Sequence, residues 1–321
     1  MIPVQPVLYK SRTAMSQTKR VAVIGAGIVG LSVALWLQRA GVRDVILIDK
    51  APPGGGASFG NAGVMADYAR VPFANWAQFK QLPRALLDRS SPVAVRRHYL
   101  PPMLRYAAGF ARACTPSRFH AGCRALVALQ RTAVQDTTTL LQHAGATSLV
   151  RDSGVLALSS SRAGLQQALA GHVGLRERLG ARAARLSAAD DIALTRPVAW
   201  LERSVYLTPM LGGIRVAGVA EFAQPDHPAS DELFALLEAD AATMLGRRPT
   251  VTSRWVGARP STPDSLPIVG RVPSCKAVSL ALGHGHLGLT FAAVTARLVA
   301  ESVVRGDDTA EMAPFLPARF A

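Results

Sequence analysis

The sequence predicts an α/β protein that combines a doubly wound parallel sheet with an inserted α+β domain. The chain opens with a strand–glycine–helix unit at 21–40 and closes with another at 277–304. Between them lie a helical region and then a run of short antiparallel strand patterns. Because alternating strands and helices build parallel sheets, whereas hairpins build antiparallel ones, the two ends are expected to enclose a second domain.

The first unit reads Val-Ala-Val-Ile-Gly-Ala-Gly-Ile-Val-Gly from residue 21 to residue 30. Gly25 permits the tight turn, Gly27 lets a pyrophosphate approach the backbone, and Gly30 lets helix and strand pack closely. The helix is expected to end at Gly41, and the strand at 45–48 leads to Asp49, which is placed to bind a ribose. The pattern predicts a Rossmann-like dinucleotide site formed by Gly25, Ala26, Gly27, Ile28, Val29, Gly30, Asp49 and Lys50.

A membrane span or a signal sequence is the competing interpretation of this stretch. Residues 21–38 carry no charge and follow Lys19 and Arg20, so they pass a hydropathy test. Three glycines at functional spacing, and a change from strand to helix register, argue against a spanning helix. Residues 1–20 lack periodicity and are predicted to be an extension.

Composition places the chain among cytoplasmic proteins with anionic partners. It has 321 residues and a formal net charge of +15, which arginine carries almost alone. Such charge favours carboxylate substrates or acidic membrane surfaces, and the absence of a basic–aromatic recognition motif argues against nucleic acid. The three cysteines show no metal-ligand spacing, so the sequence predicts no metal site and a reducing compartment.

The segment 84–124 concentrates the positive charge, with eight arginines against one acid and with aromatic residues between them. A solvated helix face over an apolar core is the preferred interpretation. Peripheral attachment to the inner face of the cell membrane is a second hypothesis, because a basic amphipathic helix with aromatics can lie on an anionic bilayer.

The middle of the chain is predicted to be mostly helical over 72–190 and then to change to strands. Strands are expected at 197–203, 205–210 and 214–222, with a hairpin turn at Gly212-Gly213. Ser230 is expected to cap a helix that Gly246 ends. A strand at 277–282 then runs into a glycine–histidine segment and a helix from 289 to 304.

Several further motifs occur in a fixed order along the chain. They are Gly-Ala-Ser-Phe-Gly-Asn-Ala-Gly at 56–63, Glu-Arg-Ser-Val-Tyr-Leu-Thr-Pro at 202–209, Gly-Ala-Arg-Pro-Ser-Thr-Pro-Asp-Ser-Leu-Pro-Ile-Val-Gly at 257–270 and Gly-His-Gly-His-Leu-Gly-Leu-Thr at 283–290. With the first glycine motif, this set resembles the D-amino-acid oxidase superfamily of FAD enzymes, and most of all its D-amino-acid dehydrogenase branch.

The resemblance implies a role for each motif. Further FAD contacts are implied for Ser58, Asn61, Ala62, Gly63, Gly283, His284, Gly285, Leu287, Gly288, Leu289 and Thr290. Arg259 matches the arginine that holds the substrate carboxylate, since a planar guanidinium binds a carboxylate in a bidentate fashion. Tyr206 and His286 are implied to line the substrate pocket, although core packing explains Tyr206 equally well.

The implied reaction is oxidation of a D-amino acid at its Cα–N bond by hydride transfer to flavin N5, giving a 2-oxo acid and ammonia. No side chain is assigned as a catalytic acid or base, because the cofactor performs the difficult step. A quinone or another electron carrier is the implied acceptor. Glycine, sarcosine and D-hydroxyproline remain alternative substrates, and an NAD-dependent dehydrogenase would leave residues 257–290 unexplained.

The chain departs from the family pattern near residues 190–196, where a block with further strands is expected and is not found. The expected domains are an extension at 1–20, a discontinuous FAD-binding domain at 21–70 and 250–310, a shortened substrate domain at 71–249 and a tail at 311–321. Missing central strands would leave apolar surfaces uncovered. A truncated, non-catalytic relative of these enzymes therefore remains an alternative.

Overall fold

The computed structural model describes residues 19–80, 91, 93–95, 99–184, 194–224, 227–228 and 230–320. Most of the expected N-terminal extension, most of the junction near 190–196 and several arginines of the basic segment lie outside these residues. The described part contains α-helices, parallel and antiparallel strand pairs and short 3-10 turns. The predicted α/β fold class is confirmed.

The N-terminal unit forms as predicted. Strand β1 (Arg20–Ile24) leads into helix α1 (Ile28–Arg39), and strand β2 (Asp44–Ile48) pairs with β1 in parallel. The Gly25 amide donates to the Ile48 carbonyl over 2.7 Å, which fixes the turn at the end of both strands. Residues 21–38 are thus divided into strand, turn and helix and do not form a single span.

The middle region is helical with two short strands that the sequence did not predict. Its helices are α2 (Leu100–Ala113), α3 (Pro116–His143), α4 (Arg162–Ala168) and α5 (Gly174–Arg178). Strand β3 (Val93–Val95) pairs in parallel with β8 (Ala220–Phe222), and β4 (Leu156–Leu158) pairs in parallel with β5 (Val198–Trp200). Both partners lie far away along the chain, so local patterns did not reveal them.

The substrate-domain sheet has the order β4–β5–β6–β7. Strands β6 (Val205–Met210) and β7 (Gly213–Ala217) form the predicted hairpin, with Met210 opposite Gly213. The strand predicted at 214–222 is interrupted between β7 and β8. Helix α6 (Asp231–Leu245) begins where the Ser230 hydroxyl accepts the Leu233 amide, and it ends at Gly246 with φ of 65°.

The C-terminal unit consists of strands β9 (Ile268–Val272) and β10 (Cys275–Leu282), followed by helix α7 (Gly288–Arg305). Strand β10 pairs with β9 in an antiparallel hairpin. Within the described residues, β10 and β1 belong to separate two-stranded sheets and do not join in one continuous sheet. Among the described residues, each of these strand pairs therefore has edges that no further strand covers.

The main core lies where α1, α3 and α7 pack together beneath the N- and C-terminal units. Fully buried members include Leu37, Leu126, Phe291, Leu298 and Phe315. The segment Gly285–Arg305 is long and apolar enough to cross a membrane, but 67% of its most apolar 18-residue window is buried inside the protein, as in a core helix. Packing of α1 against α7 brings the two ends of the chain together.

Candidate active site

The start of helix α1 is open for an anionic group. Gly27 occupies the N-cap position and has no side chain to cap the helix, and the first turn of α1 contains no acidic residue. Helix N-termini with free amides favour negative charge through the unpaired N–H groups and the dipole. A Cβ at position 27 would lie 3.3 Å from the Ser58 hydroxyl, so a glycine leaves room for both this side chain and a phosphate.

Asp49 lies at the end of β2, as predicted, and braces the same turn. Its carboxylate accepts the Ala26 amide over 2.6 Å and the Ala51 amide over 3.0 Å. These backbone hydrogen bonds lower the pKa of Asp49, so the group is ionised at neutral pH. The neighbouring Lys50 is exposed. Ribose binding by Asp49 stays a prediction.

The loop at 58–63 lies between the nucleotide turn and the substrate sheet. The Ser58 hydroxyl accepts the Ile28 amide over 2.8 Å, and the Asn61 side chain spans the loop by bonding the Ser58 carbonyl and the Gly63 amide. At the other side, the Thr208 hydroxyl donates to the Ala62 carbonyl over 2.7 Å. The predicted flavin-contact loop therefore touches the first helix and strand β6 together.

The glycine–histidine segment at 283–290 meets this loop from the C-terminal side. The Thr290 hydroxyl accepts the Ala66 amide over 3.0 Å, and the Gly285 amide donates to the Pro260 carbonyl over 2.9 Å. Leu287 is buried, and helix α7 begins at Gly288, with Leu289 in its first turn. The predicted N-terminal and C-terminal nucleotide segments are thus joined through residues 58–66.

The two histidines of this segment differ in environment. The His284 ring is buried, and its Nε2 lies 3.0 Å from the Thr295 hydroxyl. Burial lowers the pKa of His284 to about 4, so the ring is neutral at pH 7. The His284 side chain therefore has its hydrogen-bond partner inside the core. Only the backbone of residue 284 is available for the predicted contact with the cofactor.

Arg259 and His286 are both exposed to solvent, and each lies two residues from the bridge between Ser261 and His284. The His286 ring centre lies 6.5 Å from that of Phe73. Burial, then the positive charges of Arg259 and Arg176, lower the pKa of His286 to about 4. Desolvation also lowers the pKa of Arg259, which forms no ion pair with any residue that the structure describes.

Two functional candidates were missed by sequence reasoning. Tyr68 hydrogen-bonds to the predicted Tyr206, and the Arg176 guanidinium carbon lies 5.1 Å from the centre of the Tyr68 ring. Burial is the main reason why the pKa of Tyr68 is raised, so its phenol stays protonated. Neither residue belongs to a motif. An aromatic ring soon after the small-residue loop was the one available signal, and Arg176 offered none.

A glycine-rich turn at the start of α1, bonded to the small-residue loop at 58–63, is the arrangement that a bound dinucleotide requires. A family model described as FAD dependent oxidoreductase matches residues 20–201 and 188–302. The chain belongs to this family, whose members bind FAD, and it is an FAD-dependent oxidoreductase.

Individual relatives agree with this assignment. The chain is 25% identical to a D-amino-acid oxidase of Bradyrhizobium diazoefficiens over 424 residues, covering 95% of this chain and 100% of the relative. It is 30% identical to D-amino acid dehydrogenase 2 of Ralstonia nicotianae over 223 residues, covering 66% of this chain and 47% of the relative. An L-proline dehydrogenase structure from P. horikoshii has a TM-score of 0.50 at 15% identity, covers 95% of this chain and 98% of its own, and supports the fold alone.

The comparisons also agree with the expected shortening of the chain. The two family matches overlap at residues 188–201, where the sequence departs from the family pattern. The alignment with the Bradyrhizobium enzyme extends over 424 residues, whereas this chain has 321. More than 100 aligned positions of that relative therefore have no counterpart in this chain.

The residues of the described site fit FAD. The glycine N-cap of α1 and the space at Gly27 suit a pyrophosphate, and residues 58–63 form a small-residue loop between that turn and strand β6. The first turn of α1, the loop at 58–63 and the start of α7 would hold the cofactor.

Proposed function

We propose that this chain oxidises the Cα–N bond of a D-amino acid and releases the corresponding 2-oxo acid and ammonia. The observation that carries the proposal is the exposed Arg259 guanidinium, which has no acidic partner among the described residues. A guanidinium without a carboxylate partner in the protein is available to bind an external carboxylate through two parallel hydrogen bonds. The relatives named as D-amino acid enzymes support the same substrate class.

Arg259 binds the substrate carboxylate through two parallel N–H donors and so fixes the orientation of Cα. Tyr206 is held by its hydrogen bond to Tyr68 and presents its phenol to the substrate. His286 is uncharged above pH 4 and therefore does not repel a bound ammonium group. These residues bind and orient the substrate, and none is assigned as an acid or base.

The reaction breaks the Cα–H bond, and its electron pair leaves as hydride. FAD, when bound, supplies the acceptor for that hydride. The lone pair of the amine, after loss of one proton to water, forms the C=N bond of an imino acid. Water then adds to this bond and releases ammonia and the 2-oxo acid. Glycine, sarcosine and D-hydroxyproline undergo the same oxidation, so substrate shape decides among them.

The proposed electron acceptor is a quinone or another electron carrier. The proposed location is the cytoplasm, with peripheral attachment of the chain to the inner face of the cell membrane as the alternative. The net charge of +15 supports contact with an anionic surface. Turnover with an artificial dye under nitrogen, compared with oxygen consumption in air, distinguishes a carrier from oxygen. Flotation with anionic vesicles tests attachment, and recovery of all protein in the aqueous fraction would remove it.

The test of the proposed activity is dye-linked turnover of D-alanine, D-proline, D-aspartate and glycine by the FAD-loaded chain. We expect Arg259→Met to lower kcat/KM by roughly 10- to 100-fold, because a charged hydrogen bond contributes about 1.5–3 kcal/mol. Arg248→Met removes the same charge from an exposed position and serves as the control. Equal activity of both variants would refute the assigned role of Arg259.

A second candidate is a relative that has lost catalysis, and the exposed sheet favours it. Ile24 is 85% exposed at the end of β1, and Ile46 and Ile48 of β2 are about half exposed. In a complete doubly wound sheet such residues would be covered on both faces. A chain that stays colourless after incubation with excess FAD would support this candidate.

A further inference from the structure

Thr208 and Arg215 lie directly opposite each other on strands β6 and β7 of the substrate sheet. Opposed residues of an antiparallel pair project their side chains from the same face. The Thr208 hydroxyl donates to the Ala62 carbonyl over 2.7 Å. Nη1 of Arg215 donates to the Phe59 carbonyl over 3.0 Å and to the Asn61 carbonyl over 3.1 Å. One cross-strand pair therefore holds three carbonyls of the loop at 58–63.

The Arg215 side chain is used for these carbonyls and for no ion pair with any residue that the structure describes. Arg203, which precedes β6, instead pairs with Asp240 at 3.0 Å. A hydrogen bond from a charged donor is stronger than one between neutral groups, and Arg215 is half-buried, so water competes less for it. The loop is thus anchored firmly to the substrate sheet.

The anchored carbonyls fix the direction of two backbone amides. In a trans peptide group the C=O and the following N–H lie in one plane and point in opposite directions, and the described chain has no cis peptide bond. Because the Phe59 and Asn61 carbonyls converge on Arg215, the Gly60 and Ala62 amides point away from it. Neither amide donates to any group of the described residues. Both are therefore available to a bound molecule.

The loop adjoins the nucleotide turn on its other side. The Ser58 hydroxyl accepts the Ile28 amide of helix α1 over 2.8 Å. The Trp255 indole lies against Gly60, where a Cβ would come within 1.8 Å of the ring. The free amides are thus carried by a segment that is fixed between helix α1, the indole and the substrate sheet.

We infer that Thr208 and Arg215 are positioning residues for FAD, which hold residues 59–62 so that the Gly60 and Ala62 amides donate to the flavin. Reduction adds negative charge to the flavin, and fixed N–H donors stabilise that charge more than they stabilise the oxidised ring. The pair therefore strengthens FAD binding and raises the reduction potential of the bound cofactor. This inference rests on the FAD site of the proposed function and is independent of the amino acid that is oxidised.

The test measures the Kd of FAD and the reduction potential of the bound flavin in equilibrium with a dye of known potential. In Arg215→Met we expect the Kd of oxidised FAD to rise roughly 10-fold. We expect the potential to fall by about 30 mV, which corresponds to a further tenfold weaker binding of the reduced flavin. Arg215→Lys retains a charged nitrogen donor and should recover part of both changes.

The Thr208 hydroxyl gives an independent test of the same loop. Thr208→Val replaces the hydroxyl with a methyl group and should raise the Kd of FAD by about 3- to 10-fold, whereas Thr208→Ser keeps the donor and should not. Combining Thr208→Val with Arg215→Met should raise the Kd by less than the product of the two single effects, because both act on one loop. If Arg215→Met does not fold, the Thr208 variants and Arg215→Lys decide the inference.

Arg203→Met is the control for a purely structural arginine, since it should lower the Tm and leave the potential of the bound flavin unchanged. An Arg215→Met chain with a lower Tm but a wild-type Kd and potential would overturn the inference, as would a wild-type chain that binds no FAD. If the flavin changes appear and no D-amino acid is oxidised, the proposed function fails and the inference stands. If D-amino acids are oxidised and Arg215→Met leaves the flavin unchanged, only the inference fails.

Discussion

Replacing Gly30 with alanine tests the nucleotide turn, because helix propensity predicts an increase in the stability of the protein, whereas packing predicts a decrease. Alanine in a helix is favoured over glycine by roughly 0.5–1 kcal/mol, so an unconstrained position would be stabilised. At Gly30, however, a Cβ would lie 1.8 Å from the Gly25 carbonyl oxygen and 2.9 Å from its carbon. Both atoms belong to the backbone of the turn, which cannot rotate away as a flexible side chain would.

The structure sets the expected size of the effect. Helix α1 must move outward by more than an ångström to restore an ordinary contact at 3.4 Å. An extra methyl group in a packed interior costs about 3 kcal/mol at the upper end of the usual range. For a chain of 321 residues this corresponds to a Tm lower by roughly 4–5 °C. The same movement displaces the open start of α1, so weaker FAD binding is expected as well.

Gly56→Ala is the matched control within the same domain. A Cβ at Gly56 meets no atom within 4 Å, and its backbone is outside the left-handed region. Thermal unfolding and flavin retention after gel filtration should be unchanged in this variant. A Gly30→Ala chain that melts at or above the wild-type temperature and keeps its flavin would refute the proposed close packing of strand, turn and helix.

Three further predictions concern stability. Ile24→Ser should lower the free energy of unfolding by less than about 1 kcal/mol in chemical denaturation, because Ile24 is 85% exposed. Val23→Ala, at 9% exposure, should lower it by about 2 kcal/mol. A larger loss for Ile24→Ser would mean that another surface covers β1. Acidification should destabilise the wild type more than the His284→Asn variant. The histidine takes up a proton below about pH 6.5 in the unfolded chain and only near pH 4 in the folded chain, so the wild type loses about 3 kcal/mol of unfolding free energy across that window. Parallel curves of unfolding free energy against pH for the two proteins would contradict this prediction. Arg297→Met should lower the free energy of unfolding by roughly 3–5 kcal/mol at neutral pH, because it leaves the buried Asp136 carboxylate, 3.0 Å from Arg297 in the wild type, without its cation. The double variant Arg297→Met, Asp136→Asn should recover part of that loss.

Local chemistry explains why the nucleotide turn was predictable. Gly25, Gly30 and Asp49 act within one short β–α–β unit, where glycine spacing and strand patterns determine the geometry. The hairpin around Gly213 and the cap at Ser230 were predictable for the same reason, since each depends on neighbouring residues. The residues within each of these elements determine its geometry, and the structure contains each element where it was predicted.

The remainder depends on contacts between distant residues. The stacking of Arg176 on Tyr68 joins positions that no periodic pattern relates, in segments without a motif. The parallel pairing of Val93–Val95 with Ala220–Phe222 likewise joins separate regions of the chain. His284 shows where residue type misleads. A histidine in the glycine–histidine segment suggested a side-chain contact with the cofactor, but its ring is buried in the core beside Thr295. Residue type alone could not give that direction.

The central claim is that both ends of the chain build one FAD site despite the shortened sheet. The most direct measurement is the flavin released by denaturing a purified, FAD-reconstituted chain, expressed per mole of protein. The structure predicts about one FAD per chain, since Ser58 bonds to the first helix and Ala66 bonds to Thr290 of the last one. A protein that remains folded and retains no flavin would contradict the account.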